Sequence, residues 1–133
     1  MVAFRCLGSR RIVTGFLLLV LLAGCGLKQN ASSADVVAQT FLRRMQAGNF
    51  KGAQQLLTPA VGKANSVRQL KYFWGVALKR QGQLKSWSSR AVKVNQNTAV
   101  ITYTLQWSKG QTSAQFRVQH ISGLTWLIDK FVL

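Results

Sequence analysis

The hydrophobic period of this chain changes once, at Leu84. Upstream, apolar residues recur every three or four positions, as Val37, Ala38, Phe41, Leu42 and Met45 and again as Leu70, Phe73, Trp74, Ala77 and Leu78. That spacing lines up side chains on one face of a helix with 3.6 residues per turn. Between these runs, Phe50, Ala53, Leu56 and Leu57 predict a shorter second helix closed by Pro59, because proline cannot continue a helix it does not begin. Helix ends are also spelled out. Ser32-Ser33-Ala34-Asp35 and Ser66 supply caps for exposed backbone N–H groups, and Gly48 and Gly82 follow the last turns, which carry Arg43-Arg44 and Lys79-Arg80.

From Leu84 onward the pattern alternates. Ala99, Ile101, Tyr103, Leu105 and Trp107 are interleaved with Val100, Thr102, Thr104 and Gln106, and Ala114, Phe116 and Val118 with Gln115, Arg117 and Gln119. Alternation with period two is the mark of a strand with one buried face. Residues 84–95, with Trp87, Val92 and Val94, predict an earlier strand bending near Ser88-Ser89, and Thr125–Val132 a last one. The joints Asn95-Gln96-Asn97, Lys109-Gly110 and Ser122-Gly123 are short, so the strands form an antiparallel meander. Helices first and strands afterwards make an α+β fold, expected here as three N-terminal helices packed on a curved four-stranded antiparallel sheet. The four tryptophans, Trp74, Trp87, Trp107 and Trp126, are expected in the core; Trp87 is the one placed to line a mouth or contact surface instead.

The first 25 residues obey neither pattern. Arg5, Arg10 and Arg11 precede an apolar run from Ile12 to Leu22. Eleven residues are too few for a bilayer span, which needs about 20, and suit the apolar region of a signal peptide. The run ends in Leu22-Ala23-Gly24-Cys25, which resembles a bacterial lipobox. That resemblance implies cleavage before Cys25 and attachment of acyl chains, including palmitate, to this cysteine. The domains expected are therefore a signal peptide over 1–24, a lipidated cysteine and polar tether over 25–33, and a globular domain over 34–133. An ordinary secretory peptide or an uncleaved anchor is the alternative. Ser9-Arg10-Arg11 has the start of a twin-arginine signal but not the residues that follow one, which favours the general export route. Gly26 stands where an aspartate would imply inner-membrane retention, so the outer membrane is favoured if the organism has one.

The globular part also resembles a known superfamily. Gly48-Asn49-Phe50-Lys51-Gly52-Ala53 is similar to the Gly-Asp-Tyr-x-x-Ala step of nuclear transport factor two-like (cystatin-like) domains. A helix containing Trp74 and ending at Gly82 follows, and the chain closes on Gly123-Leu124-Thr125-Trp126-Leu127-Ile128-Asp129-Lys130-Phe131, like the superfamily's Gly-x-x-Trp-x-Ile-x-x-Phe. The resemblance extends especially to small bacterial lipoproteins of uncharacterised function. It implies a cone-shaped α+β domain over residues 34–133 with a possible cavity, and no particular reaction. Residues 58–66 leave little room for the hairpin that many relatives carry between the second and third helices.

Composition narrows the chemistry. The chain holds two acidic residues and one histidine against eighteen Lys and Arg. Enzymes of the superfamily use an aspartate, or an aspartate and a histidine, inside the cone. The residues available for that are His120 and Asp129, since Asp35 is accounted for by its helix start. So small an inventory argues against catalysis, against a metal site and against any cofactor. Removal of residues 1–24 leaves fifteen cations and both acids, a net charge of +13. Such a balance attracts polyanions. Lys71, Lys79, Arg80 and Lys85, around the end of the third helix, are the candidate cluster. In an exported protein the partners expected are anionic lipids, lipopolysaccharide or wall polymers, beside the membrane held through the lipid. Aromatics are not interleaved with the basic residues as single-strand nucleic-acid binding requires. The expected function is a non-catalytic binding or accessory module of the bacterial envelope. The alternative is a small isomerase- or hydrolase-like enzyme using Asp129 and His120.

Overall fold

The computed structural model describes residues 33–123 and 125–133. The expected signal segment, the Leu22–Cys25 motif and the expected tether up to Ser32 lie outside the described residues. Helix α1 covers residues 33–46, followed by α2 (Phe50–Gln54), α3 (Pro59–Ala64) and α4 (Val67–Gln81). The strands are β1 (Leu84–Asn95), β2 (Thr98–Trp107), β3 (Gly110–Ser122) and β4 (Thr125–Val132), joined as one antiparallel sheet in the order β1-β2-β3-β4. The domain is thus α+β with a four-stranded antiparallel meander and four helical segments among the described residues.

The additional helix is α3, and its origin is Pro59. Sequence reading makes this residue a stop, but here it occupies the first turn, after Thr58. Proline lacks an N–H, and at the first helical position that N–H has no partner to lose. The helix of Phe50 correspondingly ends at Gln54, and Leu57 leaves it to form a parallel bridge with Ile128. The Thr58 amide donates to the Ile128 carbonyl at 2.9 Å and the Ile128 amide to the Leu56 carbonyl at 2.8 Å. These bonds cover the outer edge of β4 with the α2–α3 connection, which occupies backbone groups that an open edge would expose.

Helix α4 begins with a reciprocal cap. The Ser66 hydroxyl accepts from the Gln69 amide at 3.2 Å, and the Gln69 side-chain oxygen accepts from the Ser66 amide at 2.9 Å. Ser66→Ala removes one of these bonds and should lower stability by about 1 kcal/mol, read as a shifted midpoint in urea unfolding. An unchanged midpoint would show that the cap contributes nothing. The same helix ends at Gly82, whose φ of +76° suits glycine, and a Cβ there would meet the Ser108 hydroxyl. The close approach docks the α4–β1 joint onto the β2–β3 turn, where Ser108 Oγ accepts from the Gln83 amide at 3.0 Å.

The core lies between the helices and one face of the sheet. Ala99, Ile101, Tyr103, Leu105 and Trp107 of β2 are buried together with Ala114, Phe116 and Val118 of β3, as their alternation predicts. Phe41 of α1 meets Phe116 edge-on at 5.7 Å and Phe131 at 5.1 Å, and Trp74 of α4 meets Trp107 at 5.4 Å. Trp126 is buried, and Trp87 is partly buried against the core rather than projecting from it. Strand β1 carries register shifts between Leu84 and Ser86 and between Ser89 and Ala91, so Lys85 and Arg90 are extra residues in its pairing with β2. Such extra residues bend a strand and increase its twist, which places the bend beside the expected Ser88-Ser89.

Candidate functional site

A half-open groove of about 600 Å³ runs between α4 and the C-terminal strand. Phe73, Val76 and Ala77 of α4 form one wall, and Trp107, Phe131 and Leu133 line the sheet side. Its charged groups are Arg80, Lys130 and Asp129. The groove is therefore an apolar trough with a cationic rim and one carboxylate.

That carboxylate is already engaged. Arg117 Nε donates to Asp129 Oδ2 at 2.7 Å. The reason is the register. Arg117 pairs with Lys130 and Val118 with Ile128, so Asp129 is an extra residue in β4. Across the sheet, Lys93 pairs with Val100, Val100 with Arg117 and Arg117 with Lys130, which sets three cations in one row. Like charges directly opposite one another are destabilising, and the extra Asp129 offsets that repulsion for Arg117. The ion pair is solvent-exposed, with the two side chains 47% and 29% accessible. Its contribution to stability is accordingly at most about 1 kcal/mol. The extra residue also changes the strand's faces. Strict alternation puts Asp129 with Leu127 and Phe131, away from Ile128. In the structure Phe131 packs against Phe41 in the core and pairs with Phe116.

His120 sits elsewhere on the sheet. Its Nε2 donates to the Gly123 carbonyl at 2.7 Å, and its ring lies 5.0 Å from that of Trp126, its partner across the ladder. Trp126 and Asp129 are three positions apart along β4, about 10 Å. No hydrogen bond joins His120 to Asp129 among the described residues; each side chain has its own partner. Asp35, at the start of α1, is also occupied. It accepts from the Tyr103 hydroxyl and, at 2.7 Å, from the Gln39 side chain. Burial, and then the Asp35 carboxylate, push the Tyr103 hydroxyl well above its ordinary tyrosine range. Among the described residues, no three His, Cys, Asp or Glu side chains come together as a metal would require.

The cations Lys71, Lys79, Arg80 and Lys85 are all exposed. Two aromatic residues accompany those on α4 that sequence reading did not place at the surface. Tyr72 is 68% accessible and Phe73, expected on the buried stripe, is 52% accessible. A signal for this is present in the sequence. Tyr72-Phe73-Trp74 are consecutive, and a helix that turns 100° per residue cannot bury all three against one sheet. Trp74 takes the core position.

No protein-family model and no curated protein matches the chain. Solved structures do. One, from Campylobacter jejuni and carrying the name of an NTF2-like transpeptidase, superimposes with a TM-score of 0.59 at 15% identity, over 72% of this chain and 96% of that one. A SEC-C motif-containing protein from Rhodopseudomonas palustris superimposes with a TM-score of 0.60 at 7% identity, over 77% and 79% of the two chains. At such identities the likeness concerns the backbone alone. Taken with the helix order and the four-stranded meander, it gives the conclusion that this domain has an NTF2-like fold.

Proposed function

We propose that this chain is a lipid-anchored accessory module of a bacterial envelope. Its helices close a curved sheet into a cone, and it works by contact rather than catalysis. The observation that carries the reading is the state of its charges. Both acids are engaged, Asp35 by Tyr103 and Gln39 and Asp129 by Arg117. Fourteen Lys and Arg stand in residues 33–133, and Arg117 alone has an ion-pair partner among the described residues. A carboxylate serving as a general base has to reach a substrate proton, and here each carboxylate already holds a donor. An excess of exposed cations instead concentrates anionic partners at the surface. Lipid phosphates, lipopolysaccharide and acidic wall polymers offer the complementary charge. The Leu22-Ala23-Gly24-Cys25 sequence supports the anchor. Two or three acyl chains hold a protein on a membrane stably, where one is marginal.

Mass spectrometry of the membrane-extracted protein tests this reading. The expected N-terminal peptide begins at Cys25 and carries the mass of its acyl chains. Cys25→Ser should abolish that modification. An unmodified Cys25 in the mature protein, or a different first residue, overturns the anchor.

A further inference from the structure

The envelope contact proposed above leaves open which face of the domain makes it. We infer that the outward face of α4 rests on an anionic lipid surface, with Tyr72 and Phe73 at headgroup depth and Arg68, Lys71, Lys79 and Arg80 against lipid phosphates. This inference rests on the membrane-anchored reading and adds an orientation and a ligand chemistry to it.

Three observations converge on this face, and a fourth bears on its distance from a bilayer. First, Tyr72 and Phe73 are the two most exposed aromatic side chains among the described residues, 68% and 52% accessible, with ring centroids 5.9 Å apart. Second, they are surrounded by positive charge. Arg68 lies one turn before Tyr72, Val76 one turn after it and Lys79 a further turn along, while Lys71 and Arg80 flank this stripe. Third, α4 contains no acidic residue, so nothing on the helix repels or neutralises a phosphate layer. Fourth, seven residues separate Cys25 from the first described residue of α1, a reach of at most about 29 Å. A tether of that length keeps the domain beside the bilayer that holds the anchor.

The combination selects a lipid surface over a hydrated polymer. An aromatic ring with a polar tip suits the boundary between headgroups and acyl chains, and long cationic side chains can lie along it while keeping their charge at the phosphates. A polymer in water offers the rings no such boundary. The row of Lys93, Arg117 and Lys130 on the sheet is the competing cationic surface. Its register neighbours on the adjoining row are Ala91, Thr102, Gln115 and Val132, which bring no aromatic ring to it.

The test is amine footprinting of the full chain. The protein is incorporated into vesicles of phosphatidylcholine alone or of phosphatidylcholine with phosphatidylglycerol, then acetylated with limiting reagent. Modification of each lysine is read by mass spectrometry. At low salt, Lys71 and Lys79 should react several-fold more slowly on the anionic vesicles than on the neutral ones, with Lys93, on the far side of the sheet from the groove beside α4, unchanged. Raising the salt should abolish the difference, because screening shortens the reach of exposed charges. The double variant Tyr72→Ser/Phe73→Ser should lose most of the protection with its far-ultraviolet circular dichroism unchanged, since both residues are exposed. Protection of Lys93 in place of Lys71 and Lys79 overturns the orientation and leaves the envelope reading standing. Equal protection of Lys71 and Lys79 on both vesicle types, varying with protein concentration, assigns the face to a second copy and overturns the inference. Reactivity unchanged at every lysine overturns both the inference and the contact through charge on which it rests. Acylation of Cys25 is measured separately and survives any of these outcomes.

Discussion

Phe41→Ala should lower the stability of the domain by roughly 3–5 kcal/mol, the usual cost of truncating a buried phenylalanine. The side chain is fully buried on α1 and meets two rings of the sheet, Phe116 at 5.7 Å and Phe131 at 5.1 Å. Removing it leaves a void between helix and sheet that the aromatic neighbours can close only in part. Domains of this size typically hold about 5–15 kcal/mol in total, so the variant should stand close to unfolding at physiological temperature. Phe73→Ala is the internal control. Phe73 is on a helix of the same layer but 52% accessible, and its loss should cost below about 1 kcal/mol. Urea unfolding of the two variants reads the difference. Similar midpoints would mean that α1 does not dock through Phe41.

Tyr103→Phe should change the response of stability to alkaline pH. The tyrosine is fully buried in β2, and its hydroxyl donates to the Asp35 carboxylate. Burial first, and the neighbouring carboxylate second, raise its pKa far above the ordinary value of about 10. In the unfolded chain this hydroxyl ionises above about pH 10, while in the folded domain it keeps its proton. The unfolded state then binds fewer protons than the folded one, so stability falls as pH rises through and beyond that point. The slope from this residue reaches about 1.4 kcal/mol per pH unit once the unfolded form is ionised. The phenylalanine variant lacks that component. At neutral pH it should lose on the order of 1 kcal/mol, the net value of a hydrogen bond. Unfolding curves for both proteins from pH 8 to 11 provide the comparison. Parallel pH slopes would show that Tyr103 is not held protonated.

Both experiments examine the same structural join, the docking of α1 onto the middle of the sheet. Asp35 reads from sequence as a first-turn acid suited to the helix dipole. In three dimensions it is also the acceptor for a hydroxyl 68 positions away in the chain. That second use ties Asp35 to β2, as the Arg117 pair ties Asp129 to β3. Neither use has a local signature, because each partner is brought up by strand pairing or helix docking.

The sequence by itself determined the fold class, the order of helices before strands and nearly all of the buried sheet face, because those follow from local periodicity. Alternation from Ala99 to Trp107 is enough to say which side of β2 is buried, and the Ser66 and Gly82 ends of α4 are local backbone chemistry. Only the tertiary structure decided the rest. Pro59 begins a helix rather than ending one, since the α2–α3 connection must turn to cover the edge of β4. Phe73 reaches the surface because the sheet offers room for only one ring of Tyr72-Phe73-Trp74. Phe131 leaves the face that strict alternation shares between it and Asp129, because Asp129 is an extra residue in β4 and shifts every side chain after it, which sends Phe131 into the core. Periodicity reports which residues share a face of one element. Which face is covered, and where a register slips, depends on the partner element, and that information is spread over residues distant in the chain.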